Sequence, residues 1–201
     1  MEVMRMIIWI NGAFGAGKTQ TAYELHRRLP GSYVYDPENV GYFIRKNVPG
    51  KIALGDFQDY PMWRDANYGM LKHLDREYDG IVIAPMTLVR PPYFDEIVGR
   101  LREDGAEVHH FALCAGKETL LRRLKGRGEG RESWAAAQID RCISALSDER
   151  FKHHLDTEGC SIADNAERIA ELAGVSLQPD GRSAVRKVYD RIRTQIRHIR
   201  F

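Results

Sequence analysis

Ile7-Ile8-Trp9-Ile10-Asn11-Gly12-Ala13-Phe14-Gly15-Ala16-Gly17-Lys18-Thr19-Gln20-Thr21 is the stretch on which the fold turns. An apolar run enters a glycine-rich turn, which closes on Lys18-Thr19 and opens onto a helical pattern. Residues 12–19 match G-x-x-x-x-G-K-[ST] without a gap, the pattern of a phosphate-binding loop. The residue types answer a chemical need. Glycines let backbone N–H groups curl around phosphate oxygens with no Cβ in the way. A lysine at position 18 bridges β- and γ-phosphates, and the Thr19 hydroxyl is placed for Mg²⁺. A helix starting near Gly17 points its positive end at the same anion. Gly12, Ala13, Phe14, Gly15, Ala16, Gly17, Lys18, Thr19 and Gln20 are therefore the candidate nucleotide contacts. The bland alternative is an ordinary strand–turn–helix carrying a chance Gly-Lys-Thr.

Working outward, residues 3–11 form a run that is mainly apolar, Arg5 and Asn11 apart, and does not alternate, which predicts a strand buried on both faces of a parallel sheet. Residues 17–29 predict the first helix, with Ala22, Leu25 and Leu29 on one face and Pro30-Gly31 as its stop. Strand 2 spans 32–36 and ends at Asp36. A short helix follows over 37–48, with Pro37 in its first turn. A longer helical stretch, 57–78, is interrupted near Pro61. Further strands fall at 80–86, 108–114 and 153–156, and further helices at 93–103, 117–125, 133–146 and 161–173. Ser133 and Ser161 suit N-caps. Strands alternating with helices predict βαβ crossovers: a three-layer α/β/α domain around a five-stranded parallel sheet. Ligands on such sheets sit at the carboxyl ends of strands, so the loop, Asp36, Thr87 and the segment after strand 4 should meet at one edge.

The 201 residues fit one domain, 1–180, followed by a basic helix, 181–201. Net charge is only +2, but 182–201 holds seven Lys/Arg against one acid, a net of +6, leaving −4 elsewhere. Cys114, Cys142 and Cys160 have no metal-like spacing and read as reduced thiols filling the core. No run is long enough to span a membrane, and Glu2 and Arg5 with no cleavage-like site argue against a signal peptide. A cytoplasmic protein is expected, with peripheral contact at the inner face of the plasma membrane an open option. In 181–201, Val185, Val188, Tyr189, Ile192, Ile196 and Ile199 share one arc, and arginines and lysine cover the rest. Such a helix lies in an anionic membrane interface, or docks on the sheet with its basic face wet. Periodicity does not separate the two.

The order of phosphate loop, Asp ending strand 2 and Arg-rich segment after strand 4 resembles the small P-loop kinases of nucleosides, shikimate and antibiotics. Longer strings are more specific: Ile7 to Gly15, Tyr33-Val34-Tyr35-Asp36-Pro37-Glu38, Asp56-Phe57-Gln58, Pro85-Met86-Thr87, Ser133-Trp134-Ala135-Ala136 and Gln138-Ile139-Asp140-Arg141-Cys142. These resemble bacterial tunicamycin resistance proteins nearly end to end. The resemblance implies a P-loop NTPase of the nucleoside-kinase type. It implies ATP binding and protection against tunicamycin, a uridine-containing nucleoside antibiotic that blocks a membrane step of envelope glycan synthesis.

The same resemblance assigns candidate roles. Asp36 would aim the acceptor hydroxyl or take its proton; the bland alternative is a helix N-cap. In Arg123-Leu-Lys-Gly-Arg127, one arginine would cover the adenine or ribose and the other reach the phosphates. Arg127 and Arg131 lie in a glycine-spaced loop, 126–131, suited to a lid. Lys18, Asp36 and Arg127 form the candidate catalytic set. Arg45, Arg64 and Thr87, with Asp36, form the candidate acceptor set. Trp63 beside Arg64 suits a ring-bearing ligand, or else packs while Arg64 faces water. Trp9 and Trp134 read as packing. His109-His110 lacks a third ligand for metal.

One departure stands out: Ile83-Ala84-Pro85-Met86-Thr87 has no acid after the apolar run, so the Walker B carboxylate of many P-loop ATPases is missing. Three functions remain open: phosphoryl transfer from ATP·Mg²⁺ to a nucleoside antibiotic, ATP-dependent sequestration of the drug at the membrane without chemistry, and a kinase of an endogenous nucleoside or metabolite. A nucleic-acid partner is not expected, since the basic charge is confined to one helix without interleaved aromatics.

Overall fold

β1 (Met6–Gly12), β3 (Ile81–Pro85) and β4 (Val108–Cys114) form the centre of a parallel sheet in the computed structural model, which describes residues 4–197. β2 (Ser32–Val34) and β5 (His154–Asp156) are its edges, and the strand order is β2-β3-β1-β4-β5, parallel throughout. Every residue of β1 and β3 is buried, as their unbroken apolar runs require of strands covered on both faces. Trp9 is wholly inside and serves packing, as its sequence context predicts.

The helices, in chain order, are α1 (Lys18–Arg28), α2 (Glu38–Asn47), α3 (Pro61–Glu77), α4 (Pro91–Phe94), α5 (Arg100–Glu103), α6 (Lys117–Lys125), α7 (Trp134–Ala137), α8 (Ile139–Leu146), α9 (Ile162–Leu172) and α10 (Ala184–Arg197). A π turn, Asp95–Gly99, joins α4 to α5 into one helical run that Pro91 and Pro92 open. The break near Pro61 is real: a 3₁₀ turn, Phe57–Asp59, precedes α3, and Pro61 opens that helix, where its missing N–H costs nothing. α9 carries the Ser161 cap as a full capping box with Asp164. α1 packs on α9 and α10, while α3 packs on α2 and α5.

What sets the site is the polar residue at the end of β1. Asn11 is completely buried. Its Oδ1 accepts from the N–H groups of Gly12 (2.8 Å) and Leu88 (2.9 Å), and its Nδ2 donates to the Leu88 carbonyl (2.7 Å). The same Nδ2 lies 3.1 Å from His110 Nε2. His110 Nδ1 sits 2.9 Å from the Lys152 carbonyl, which can only accept, so Nδ1 carries the proton and Nε2 takes the Asn11 bond. Thr87 Oγ1 donates to the Gly12 carbonyl at 2.8 Å. β1, β3, β4 and the start of the phosphate loop are thus joined through one amide.

Burial holds the His110 pKa down at about 4, helped by Arg102, His154 and His153 and opposed by the bond to Lys152. A histidine depressed from 6.5 in the unfolded chain to about 4 in the fold binds protons later when folded. Stability should therefore fall as pH drops from about 6.5 through 4, by a few kcal/mol in total. Urea unfolding across that range checks this, and Asn11→Leu should cost about 3 kcal/mol or more at pH 7, because it leaves the Leu88 amide and carbonyl buried without a partner.

Candidate functional site

The loop of residues 12–17 is shaped by close approach as much as by its glycines' freedom. Gly15 and Gly17 sit at φ 84° and 96°, a region side chains rarely adopt. A Cβ on Gly15 would lie 2.8 Å from the Leu120 carbonyl of α6, and one on Gly12 2.8 Å from the Leu113 carbonyl of β4. The loop is pressed onto β4 and α6, and α6 carries Arg123. Gly17 is the N-cap of α1 and makes no side-chain cap, so the first N–H groups of α1 face the loop's hollow.

Lys18 curls back over this hollow. Its Nζ donates to the carbonyls of Gly12 (3.0 Å) and Ala13 (3.1 Å), and it stands 5.5 Å from the Phe14 ring centroid. Burial lowers its pKa to about 8; Glu38 and Cys142 oppose the shift and Arg127 adds to it. Glu38, at the start of α2, and Arg127 therefore lie within electrostatic reach of the loop lysine. The sequence reading passed over Glu38 as a site residue. Its only signal was its place two residues after Asp36 in the Asp-Pro-Glu string. Cys142 is buried, and burial pushes its thiol pKa up, so it remains an uncharged thiol.

The predicted residues divide into three groups by position. Gly15, Ala16, Gly17, Gln20, Arg123 and Arg127 border one cavity of about 260 Å³, which continues along residues 160–162. Arg123 is anchored there by Thr157, through Nη1 to Oγ1 (3.1 Å) and Nη2 to the carbonyl (2.7 Å). Arg127 is crowded enough that desolvation, with Arg123 next to it, holds its pKa below the usual arginine value against the pull of Glu129. The residues at 160–165 were missed, because only the tertiary fold brings the loop before α9 beside the phosphate loop.

Asp36 stands past the end of β2. Its Oδ1 accepts from the Glu38 N–H at 3.0 Å, so it caps α2 and its carboxylate is held in place. Thr87 is 3% exposed, and its hydroxyl goes to Gly12 rather than into an open acceptor space.

Arg45, Arg64 and Arg131 are placed elsewhere. Arg45 is exposed on α2 with its guanidinium 5.0 Å from the Phe57 ring centroid. Arg64 is neither solvated nor open to a ligand. It is 8% exposed, donates to Glu96 (2.5 Å) and to the Gln58 carbonyl (2.6 Å), and stacks 4.2 Å from the Tyr93 ring centroid. It ties α3 to the π turn after α4. Neighbouring Trp63 is fully buried and donates to the Pro37 carbonyl, so the Trp-Arg pair is packing. Arg131 is exposed and pairs with Glu118. Trp134 is half exposed and meets Phe14 edge-on at 5.2 Å, beside the loop.

The C-terminal helix is docked, but with the opposite face from the one its pattern suggests. Asp190 and Thr194 are buried at 7% and 6%, whereas Val185, Val188, Tyr189, Ile192 and Ile196 are between 52% and 80% exposed. Ile199, the last residue of the apolar arc, lies outside the described residues. Arg182 is the anchor, donating to Glu24 of α1, to Asp180 (2.7 Å) and to Asp190 (3.0 Å). These acids hold the Arg182 pKa above its ordinary value.

A phosphate loop between β1 and α1 of a parallel sheet ordered 2-3-1-4-5 defines a P-loop, kinase-like nucleotide-binding protein. The family model for the AAA domain matches residues 7–148. The structure of the Deinococcus radiodurans tunicamycin resistance protein matches at 37% identity and a TM-score of 0.76, over 88% of this chain and 100% of that one. The chain belongs to the family of bacterial tunicamycin resistance proteins, within the P-loop AAA domain family. A sugar kinase from a Janibacter species (16% identity, TM-score 0.61, 86% of this chain and 96% of that one) and the Mycobacterium tuberculosis APS kinase (16%, 0.56, 85% and 98%) share the fold. No curated protein matches the sequence. No helix among the described residues is long and apolar enough to cross a membrane.

The depressed Lys18 pKa makes a pH prediction. A bound phosphate favours the ammonium, so above about 8 nucleotide binding must take up a proton. Nucleotide affinity should be flat below about pH 7 and then weaken by up to about tenfold per unit above pH 8. Titration calorimetry in buffers of different ionisation enthalpy should show proton uptake at the higher pH only.

Proposed function

We propose that this protein binds ATP with Mg²⁺ and transfers the γ-phosphoryl group to a hydroxyl of a tunicamycin-like nucleoside antibiotic. The observation that carries this reading is the desolvated Lys18 ammonium inside the loop, flanked by Glu38 and Arg127 and backed by the cavity that holds Arg123. Family membership at 37% identity to a tunicamycin resistance protein supports the choice of acceptor.

The residues fit the cation as well. Among the described residues no group of three His, Cys, Asp or Glu side chains makes a metal site alone. A magnesium ion usually keeps waters and phosphate oxygens and needs few protein ligands, and the Thr19 hydroxyl at the start of α1 would be one of them. Bound there, it would neutralise charge on the β- and γ-oxygens. Lys18 and Arg127 would supply the remaining positive charge, and the loop N–H groups would hold the phosphates. The acceptor hydroxyl oxygen attacks phosphorus, the bond to the bridging β–γ oxygen breaks, and ADP leaves. The hydroxyl proton passes to Asp36, whose cap bond to Glu38 N–H fixes the direction of the carboxylate.

A second reading, ATP-dependent capture of the drug without chemistry, is favoured by one feature. The end of β3 brings Thr87 to the loop where many P-loop ATPases bring an acid, and its hydroxyl bonds Gly12. Mass measurement of tunicamycin after single-turnover incubation with the protein and ATP decides between them. A gain of one phosphoryl group supports transfer; an unmodified drug that stays bound overturns it and leaves capture. Transfer only to other hydroxyl compounds in a panel identifies a metabolite kinase instead. Asp36→Asn retains the cap, since Asn caps as well as Asp. It should lower phosphoryl transfer about 100-fold or more while ATP affinity holds.

Membrane contact is proposed on a separate observation. α10 turns Val185, Val188, Tyr189, Ile192 and Ile196 outward, with Arg186, Arg191 and Arg193 exposed beside them. This is the face an anionic bilayer surface takes up, apolar side chains in the interface and arginines at the headgroups. In co-sedimentation, vesicles with anionic lipid should retain the protein and neutral vesicles should not. Ile192→Glu should abolish retention without disturbing the docked side of the helix.

A further inference from the structure

One basic side chain at the nucleotide cavity comes from an element that has no part in the phosphate motif. Arg191 of α10 borders the same cavity as Gly15, Gly17, Gln20, Arg123 and Arg127. The helix is seated by contacts independent of that side chain. Arg182 is bound by Glu24 and Asp190, and Gln20 Nε2 donates to the main-chain carbonyl of Arg191 at 3.0 Å. That carbonyl can only accept, so it fixes the orientation of the Gln20 amide. Gln20 Oε1 is then a buried acceptor that takes no hydrogen bond from the described residues. A buried acceptor left unpaired costs about 1–3 kcal/mol, so a ligand hydroxyl or amino group that donates to it is favoured. Three arginines line this cavity with an unmet acceptor beside the loop glycines, a surface for a group bearing both hydroxyls and an anionic oxygen.

We propose that Arg191 is a nucleotide-binding residue: its guanidinium closes the nucleoside side of the cavity, so that bound nucleotide clamps the C-terminal helix to the domain. This rests on the nucleotide-binding reading of the loop. Position decides which part of the nucleotide it meets. Lys18 folds over Gly12 and Ala13, at the terminal-phosphate end. Arg191 instead shares its space with Gly15, Gly17, Gln20 and residues 160–162, on the side of the loop toward α6 and α9. It therefore meets the ribose or the α-phosphate, which ADP and ATP have in common. The coupling runs both ways: whatever Arg191 adds to nucleotide affinity, nucleotide adds to helix docking.

The test is titration of the full chain with ADP and with ATP, in the wild type, Arg191→Ala and Arg193→Ala. Arg193 is the control, since it borders a different cavity, of about 640 Å³, between α1 and the segment 178–194. Arg191→Ala should weaken ADP and ATP by the same factor, about tenfold. Arg193→Ala should change either by less than about twofold. Because Gln20 holds the backbone at 191, Arg191→Ala should leave hydrogen exchange of 184–197 unchanged in the absence of nucleotide. Added ADP should slow that exchange in the wild type and not in the variant. Wild-type affinity in Arg191→Ala overturns the proposal, as does an equal loss in both arginine variants, which would mark a diffuse charge effect. A wild type that binds neither nucleotide overturns the nucleotide reading itself.

Discussion

A single buried amide at the end of β1 holds the site together. Asn11 replaces the next apolar residue of its strand and bonds the backbone of Leu88, the backbone of Gly12 and the ring of His110. Each of those groups is buried, so the amide is under strong constraint. Its consequence is geometric. The carbonyl of Gly12, where the loop departs, is then met by Thr87 from the end of β3. Three adjacent strands fix the first residue of the loop, and the loop is pressed onto α6 at Gly15. Little freedom remains in the backbone that would hold phosphate, which is the preorganisation such a site needs.

The electrostatics of the loop follow from this rigidity. Lys18 is held against carbonyls of its own loop and is partly buried, so its charge is costly and its pKa falls to about 8. Arg127 is likewise desolvated, with Arg123 beside it. A cluster of cations that the fold crowds together is eased by an anion, and a polyphosphate is the anion of the right charge. Glu38 offsets part of this field from the α2 side.

Much of this was legible in the chain itself. The phosphate loop is local: eight consecutive residues specify the turn, and the apolar run and amphipathic helix around it specify the setting. The parallel sheet followed from strands that are apolar on both faces. Arg123 and Arg127 stand out in the chain only by resemblance to the arginine segment of nucleotide kinases, and both border the cavity beside the loop. Arg64 could not be placed from the chain. Its partners, Glu96, Gln58 and Tyr93, come from three separate segments, and no spacing rule distinguishes a guanidinium facing a ligand from one tying helices together. α10 is the sharper case. An apolar arc in sequence ordinarily marks the buried side of a helix, yet here the buried side is Asp190 and Thr194, held by Arg182.

Sequence alone determined the strand order's ingredients, the phosphate loop and the family, because each is written in contiguous residues whose period or wording carries the information. The tertiary structure decided which polar groups face one another. It set Asn11 as the hub, gave Thr87 to the loop and Arg64 to the scaffold, and brought Glu38 toward Lys18 and Arg191 to the cavity beside the loop. Those choices depend on desolvation and on partners dozens of residues away. Neither is encoded at the position of the residue that feels it.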